Sequence, residues 1–256
     1  MHLNRRQFTV LAAAGAAATT ARAEFHHKAD RPKFRAVAFD GFPIIDVRPV
    51  FARAEEIFPG KGAELSNAWR TRQFEYTWLR TIGGRYADFW RVSEEALTFA
   101  ARSVKVELSG EQRDRLMQTY LELKAWPDAL PAITRLREAG IRMAFLSNLT
   151  PGMLDAVVKN SALDGFFEDH LSTDNVRVYK PDPLAYRMAV DAFGFKKEEI
   201  VFAAYAGWDT AGAKWFGYPT FWVNRAGAAV EELEIAPDGA GATLADLATF
   251  VTADRG

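Results

Sequence analysis

The chain has 256 residues, 49% of them hydrophobic and 25% charged, with a net charge of −1. That is the composition of a globular core or a core with a large insertion, and it gives no electrostatic reason to expect nucleic acid or an anionic membrane as partner. Cysteine is absent, which excludes disulfides, thiolate metal sites and a cysteine nucleophile, and of the histidines only His170 lies away from the N-terminal tail that holds His2, His26 and His27. Carboxylates, lysines, arginines and hydroxyls are left to carry any chemistry.

Residues 1–23 read as an export signal. Arg5-Arg6 precedes Gln7-Phe8 and an Ala-rich apolar run from Val10 to Ala18, and Ala21-Arg22-Ala23 fits a small-x-small cleavage site. The run is too short to span a bilayer. Paired arginines before a weakly hydrophobic run resemble a twin-arginine signal, which implies an exported, periplasmic protein with no membrane segment in the mature form. The plainer alternative is a tail with a chance Arg-Arg. Residues 24–33 read as a flexible lead-in.

The run Ala36–Phe39 reads as a buried parallel strand ending on Asp40, after which Gly41 and Pro43 break the chain. Ile44-Ile45-Asp46-Val47 leads out of it, and Pro49 marks a boundary. Residues 50–125 look helical throughout. Leu65, Trp69, Tyr76 and Leu79 recur at helical spacing over 64–80, Ser93 is placed to cap a helix running to Arg102, and Ser109-x-x-Gln112 is a capping box. The block 49–125 therefore reads as a helical cap inserted into an α/β core made of 34–48 and 126–256. Helices are expected at 128–139, 151–160, 183–193, 209–216 and 244–251. Strands are expected at 141–146, 170–173, 200–205 and 220–223, and a loop at 237–242. Alternating strands and helices predict a Rossmann-like parallel sheet.

Four polar clusters follow expected strands or lie in the loops beyond them: Asp40, Ser147-Asn148, Lys180-Pro181-Asp182 and Trp208-Asp209. Rossmann topology brings such positions to one sheet edge. A lysine beside a carboxylate keeps it ionised, and an ionised Asp attacks carbon or phosphorus covalently. Each residue also has a plainer role: Asp40 starting a turn, Ser147-Asn148 or Asp209 capping a helix, Lys180 as a solvated loop charge.

The order Asp40, Ser147, Lys180, Asp209 resembles the haloacid dehalogenase superfamily. Phe58-Pro-Gly-Lys-Gly, Trp69-Arg70, Glu75-Tyr-Thr-Trp-Leu-Arg80, Val178-Tyr-Lys-Pro-Asp182 with Tyr186, and Trp208-Asp209-x-x-Gly-Ala213 narrow the likeness to type II (L-2-haloacid) dehalogenases across roughly residues 35–250. The resemblance implies metal-free, cofactor-free hydrolysis of short 2-haloacids. Asp40 would displace the halide with inversion and water would hydrolyse the ester. Arg70 would hold the halide and Ser147 the substrate carboxylate, with Asn148 beside it. Lys180 and Asp209 would orient nucleophile and water, supported by Tyr186. Phe42, Phe74, Phe89 and Trp208 would form an apolar wall, for which core packing is the alternative. It also implies a homodimer formed through the cap.

The chain departs from the family pattern at Phe42-Pro43-Ile44-Ile45, where Tyr-Gly-Thr-Leu is usual, and at Ala204 and Ala206, where Ser and Asn are usual. A nucleophile-positioning hydroxyl, a water-binding Ser and a halide-contacting amide are thereby lost. Two further readings stay open: a non-catalytic, small-carboxylate-binding member, and another hydrolase of the superfamily, including a phosphatase. Against the phosphatase, Phe42 stands where such enzymes carry a second acid, and few carboxylates are left to hold Mg²⁺.

Overall fold

A computed structural model describes residues 34–253. The export signal and lead-in expected at 1–33 lie outside the described residues. Six strands, β1 (Ala36–Phe39), β2 (Arg142–Ser147), β3 (His170–Ser172), β4 (Ile200–Ala204), β5 (Thr220–Val223) and β6 (Gly239–Gly241), form one sheet in the order β3-β2-β1-β4-β5-β6. Every neighbouring pair is parallel. The chain winds outward from β1 to β3, then returns to the other side of β1 at β4. That reversal leaves a crevice beyond the carboxyl ends of β1 and β4, the place where open α/β sheets bind ligands.

Beyond β1 the chain does not simply break. It makes one helical turn, α1 (Gly41–Ile44), capped by Asp40, whose Oδ2 accepts from the Phe42 N–H at 3.3 Å. Asp40 is therefore held against its own strand end by the turn that follows. A short antiparallel bridge, Ile45 with Ala125, then ties the outgoing chain to the returning one; Asp46 N–H donates to Lys124 O at 2.9 Å and Trp126 N–H to Ile44 O at 2.8 Å.

Between these crossings lie α2 (Arg48–Ile57), α3 (Gly62–Ile82), α4 (Phe89–Ser103) and α5 (Gly110–Glu122). Pro49 sits in the first turn of α2, where its missing N–H costs nothing, so it begins a helix there. The α3 helix, about 30 Å long at 1.5 Å per residue, buries Leu65, Ser66, Trp69, Gln73 and Thr77. Leu79, expected in that stripe, is 61% exposed; the buried face instead carries Gln73, which reaches Ser93 and Tyr120, and Thr77, which donates to the Phe74 carbonyl. Ser93 is one of those partners. It does not cap α4, which Asp88 caps instead. Ser93 is buried inside the helix, its carbonyl accepting from Trp69 Nε1 at 2.8 Å and its hydroxyl from Gln73 Nε2 at 2.7 Å. The Ser109–Gln112 capping box is formed at α5.

The core resumes with α6 (Ala129–Glu138), α7 (Pro151–Asn160), α8 (Pro183–Phe193), α9 (Gly207–Phe216) and α10 (Leu244–Thr252). Val37, Phe39, Met143, Phe145, Val201 and Ala203 point to one face of the sheet, packing with α6, α7, α10 and the helical block. Ala36, Ala38, Ala144, Leu146, Ile200 and Phe202 point to the other, against α8 and α9. Both faces are covered, which is why these strands read as unbroken apolar runs. Strand β6 falls in the expected loop 237–242. Gly-Ala-Gly has little strand propensity of its own; it pairs because β5 offers a free edge, and a Cβ at Gly239 would lie 2.7 Å from the Phe250 ring.

Candidate active site

Asp40, Ser147, Lys180 and Asp209 come together at the carboxyl edge of the sheet. Lys180 Nζ donates to Asp40 Oδ1 at 2.8 Å and to Asp209 Oδ2 at 2.6 Å, so one ammonium bridges two carboxylates. The side chains of Lys180 and Asp209 are 1% and 2% exposed, against 11% for Asp40, which makes Asp40 the most open of the three. Burial opposes charge on Lys180, but Asp209 and Asp40 outweigh it and hold the ammonium above its ordinary pKa. Burial pushes the Asp209 carboxyl up to about 6; the Lys180 ammonium pulls it back and the Asp40 charge adds to the rise.

The trio is held from behind. Tyr186 donates its hydroxyl to Asp209 Oδ1 at 2.7 Å. That approach needs Gly212, where a Cβ would lie 2.5 Å from the Tyr186 hydroxyl. Asn148 Oδ1 accepts the Lys180 backbone N–H at 3.2 Å, so it tethers the lysine segment. Ser147 Oγ accepts the Leu149 N–H at 3.1 Å, which leaves its own hydrogen free to donate toward Asp40's surroundings. Lys180 and Tyr186 are wholly buried beneath the site.

Above the trio lies a cavity of about 380 Å³. Each of the other residues picked out from the sequence lines it: Phe42, Arg70, Phe74, Phe89, Asn148 and Trp208, besides Asp40, Ser147 and Asp209. The α3 helix supplies the far wall. Phe74 and Trp78 meet Trp208 edge-on at 5.4 and 5.5 Å between ring centroids. Arg70, exposed on α3, makes no hydrogen bond or ion pair with the described residues, so a guanidinium faces the cavity unengaged. Phe89 is buried and packs edge-on against the Tyr179 ring at 6.4 Å, so it serves the core as well as the wall.

Among the lining residues not singled out from the sequence are two that stand at strand ends. Tyr205 follows β4 and Arg225 follows β5; both sit just past strand ends, which is the signal that marked Asp40 and Ser147. Arg225 is fixed by Asp128 at 2.9 Å and by the Pro43 carbonyl at 2.9 Å. Asp209 lies within the first turn of α9, whose cap position is Ala206, so Asp209 is not the helix cap.

A family model described as haloacid dehalogenase-like hydrolase matches residues 5–217. The chain is 40% identical over 205 residues to the (S)-2-haloacid dehalogenase of Pseudomonas sp. strain YL, covering 80% of this chain and 88% of that one. It is 41% identical over 207 residues to haloacetate dehalogenase H-2 of Moraxella sp. strain B, covering 80% and 92%. Among solved structures, an L-2-haloacid dehalogenase superposes with a TM-score of 0.84 at 42% identity, covering 86% of this chain and all of the other. The Xanthobacter autotrophicus L-2-haloacid dehalogenase with chloropropionic acid covalently bound superposes with a TM-score of 0.79 at 32% identity, covering 86% and 99%.

Proposed function

Because this chain belongs to the haloacid dehalogenase-like hydrolases, we propose that it hydrolyses the carbon–halogen bond of short 2-haloalkanoic acids through a covalent ester on Asp40. The observation that carries this reading is the Lys180 ammonium bridging Asp40 and Asp209 beneath an aromatic cavity with an unengaged arginine opposite. Held by Lys180 Nζ on one oxygen and the Phe42 N–H on the other, the Asp40 carboxylate is fixed in direction. Pre-set orientation is where much of the rate gain in such displacements comes from.

In the first step an Asp40 oxygen forms a bond to C2, the carbon–halogen bond breaks, and the halide leaves with the electron pair while C2 inverts. Arg70 receives the halide; its charge persists at any working pH. The Ser147 hydroxyl donates to the substrate carboxylate. Phe42, Phe74, Phe89 and Trp208 exclude water that would solvate the nucleophile. In the second step water attacks the ester carbon of Asp40, the acyl carbon–oxygen bond breaks, and the 2-hydroxy acid departs. One proton is released overall. Asp209, with its carboxyl raised to about 6, is suited to take that proton near neutrality. Tyr186 and Asn148 act by holding Asp209 and Lys180.

One solved structure of this fold is bound to magnesium, but the residues here do not fit a divalent cation. The described residues contain no cluster of three or more acidic, His or Cys side chains placed to hold a metal. Asp40 and Asp209 already share one ammonium, which takes up an oxygen of each and offsets one of their two charges. No step is routed through a metal.

The test is halide release from L- and D-2-chloropropionate and chloroacetate. Release that persists in EDTA, and that Asp40→Asn lowers by about 10⁴-fold or more, is the expected result. Carboxylate binding without release would instead support a retained binding site, a reading that Ala204 and Ala206 favour by offering no polar side chain beside Asp209. We further propose export through the twin-arginine-type signal, a division into core and cap near residues 48 and 126, and homodimer assembly through the helical block.

A further inference from the structure

Within the proposed reaction, the strand register gives the substrate an orientation. Strand β1 lies between β2 and β4, with Phe39 opposite Phe145 on one side and Ala203 on the other. Two residues past those partners stand Ser147 and Tyr205. The nucleophile at Asp40 is thus bracketed by two hydroxyls, one on the β2 side and one on the β4 side.

The two hydroxyls differ in reach. That of Ser147 stays at the level of the strand end, where it takes the Leu149 N–H. That of Tyr205 stands at the end of a ring that lines the cavity, farther from its own backbone. The Tyr205 backbone is pinned by Trp222 Nε1, which donates to its carbonyl at 3.0 Å, and its ring packs edge-on against Phe42 at 6.0 Å. The hydroxyl itself makes no hydrogen bond with the described residues although the side chain is half-buried in the cavity wall. Burial raises the phenol pKa, and among the charges acting on it Arg70 comes first, then Arg225, then Asp40. A phenol O–H there is a free donor in the same cavity as a free guanidinium, in a position that phenylalanine would line equally well.

We propose that Tyr205 is the second hydrogen-bond donor to the departing halide, beside Arg70, so that the substrate lies with its carboxylate over β2 and its leaving group over β4. As the carbon–halogen bond lengthens, the halide gains the electron pair and accepts the Tyr205 O–H; the proton stays on the phenol. The neighbouring Ala206 has no side-chain donor to share that role. Donors aimed at developing charge act most strongly where water is excluded.

The inference rests on the dehalogenase reading, and Tyr205→Phe tests both separately. The variant removes one oxygen from a packed ring. First-turnover halide release should fall roughly ten-fold or more for a 2-chloro acid and less for its 2-bromo analogue, whose leaving group needs less help. Decay of the Asp40 ester should not change. An unchanged chloride-to-bromide ratio overturns the proposal. In parallel, bromide is titrated at constant ionic strength into wild type and Tyr205→Phe, read by tryptophan fluorescence from the Trp78–Trp208 wall. Weaker saturable binding in the variant is expected. Equal binding, or none to wild type, overturns the proposal whatever the haloacids do. Bromide binding that depends on Tyr205 in a protein that releases no halide from any haloacid would keep the halide site and overturn the dehalogenase reading alone.

Discussion

Three side chains, two negative and one positive, are buried within hydrogen-bonding distance at the heart of the site, and their imbalance predicts unequal mutant behaviour. Lys180→Met leaves Asp40 and Asp209 facing each other without a counter-charge; breaking a buried ion pair in this way costs about 3–5 kcal/mol. Asp209→Asn leaves the Asp40–Lys180 pair neutral, and the amide can accept from Lys180 while donating to Tyr186. Denaturant unfolding at pH 7.5 should show a large loss for the first variant and little or none for the second, while halide release falls in both. The same residue sets the pH dependence. With its folded-state pKa raised to about 6 from an ordinary 3.8, Asp209 adds stability at low pH that is lost as pH rises through about 6. In the proposed mechanism activity runs the other way, because there the ionised form pairs with Lys180 and takes the proton. Halide release should therefore fall as pH drops through about 6, and Asp209→Asn should remove that acid limb from whatever activity remains. Lys180, held above its ordinary value, contributes no alkaline limb below pH 10 or so.

At the scale of elements, the site depends on a close approach between α8 and α9. Gly212 lets the Tyr186 hydroxyl and the Pro181 ring come near; an added Cβ would meet them at 2.5 and 2.7 Å. Gly212→Ala should cost roughly 1–3 kcal/mol by overpacking and lower activity by moving Tyr186 off Asp209. In the double variant with Tyr186→Phe, which removes the clashing oxygen, the two losses should sum to more than the measured total in urea unfolding. Local chemistry made several elements legible: the capping box at Ser109, the Asp182-Pro183 start and Gly194 end of α8, the apolar runs of β1, β2, β4 and β5. What could not be read was set by distant partners. Ser93 looks like a cap because serine usually is one, yet Asp88 takes that place and Ser93 receives Trp69 and Gln73 from another helix. Strand β6 has no strand-like residues and exists because the edge of β5 needed a partner.

For the whole molecule, the doubly wound order places β4 beside β1, and this adjacency makes one site of residues as far apart in sequence as Asp40 and Asp209. The helical block closes that site from above, which leaves part of its apolar surface outside: Leu79 and Ile82, at the end of α3, are 61% and 85% exposed. If the proposed homodimer forms through this block, light scattering of the folded protein should give twice the chain mass, and Leu79→Glu with Ile82→Glu should give the single mass with the unfolding transition retained. A monomeric wild type would remove the dimer from the account. No helix among the described residues is long and apolar enough to cross a membrane.

By itself the sequence determined five of the six strands, most of the helices and the candidates for the chemistry, because those depend on side-chain periodicity, on breakers and caps a few positions away, and on which functional groups exist in a chain without cysteine. Asp40, Ser147, Lys180 and Asp209 were legible for that reason, as polar residues that follow strands or lie in the loops beyond them in an alternating pattern. Only the tertiary structure decided that one ammonium serves both carboxylates, that Asn148 holds the Lys180 backbone, and that Tyr205 and Arg70 line one cavity. Those are distances between segments whose separation along the chain carries no information about their separation in space; packing of two helix layers on a twisted sheet sets them, and that packing is a property of the whole.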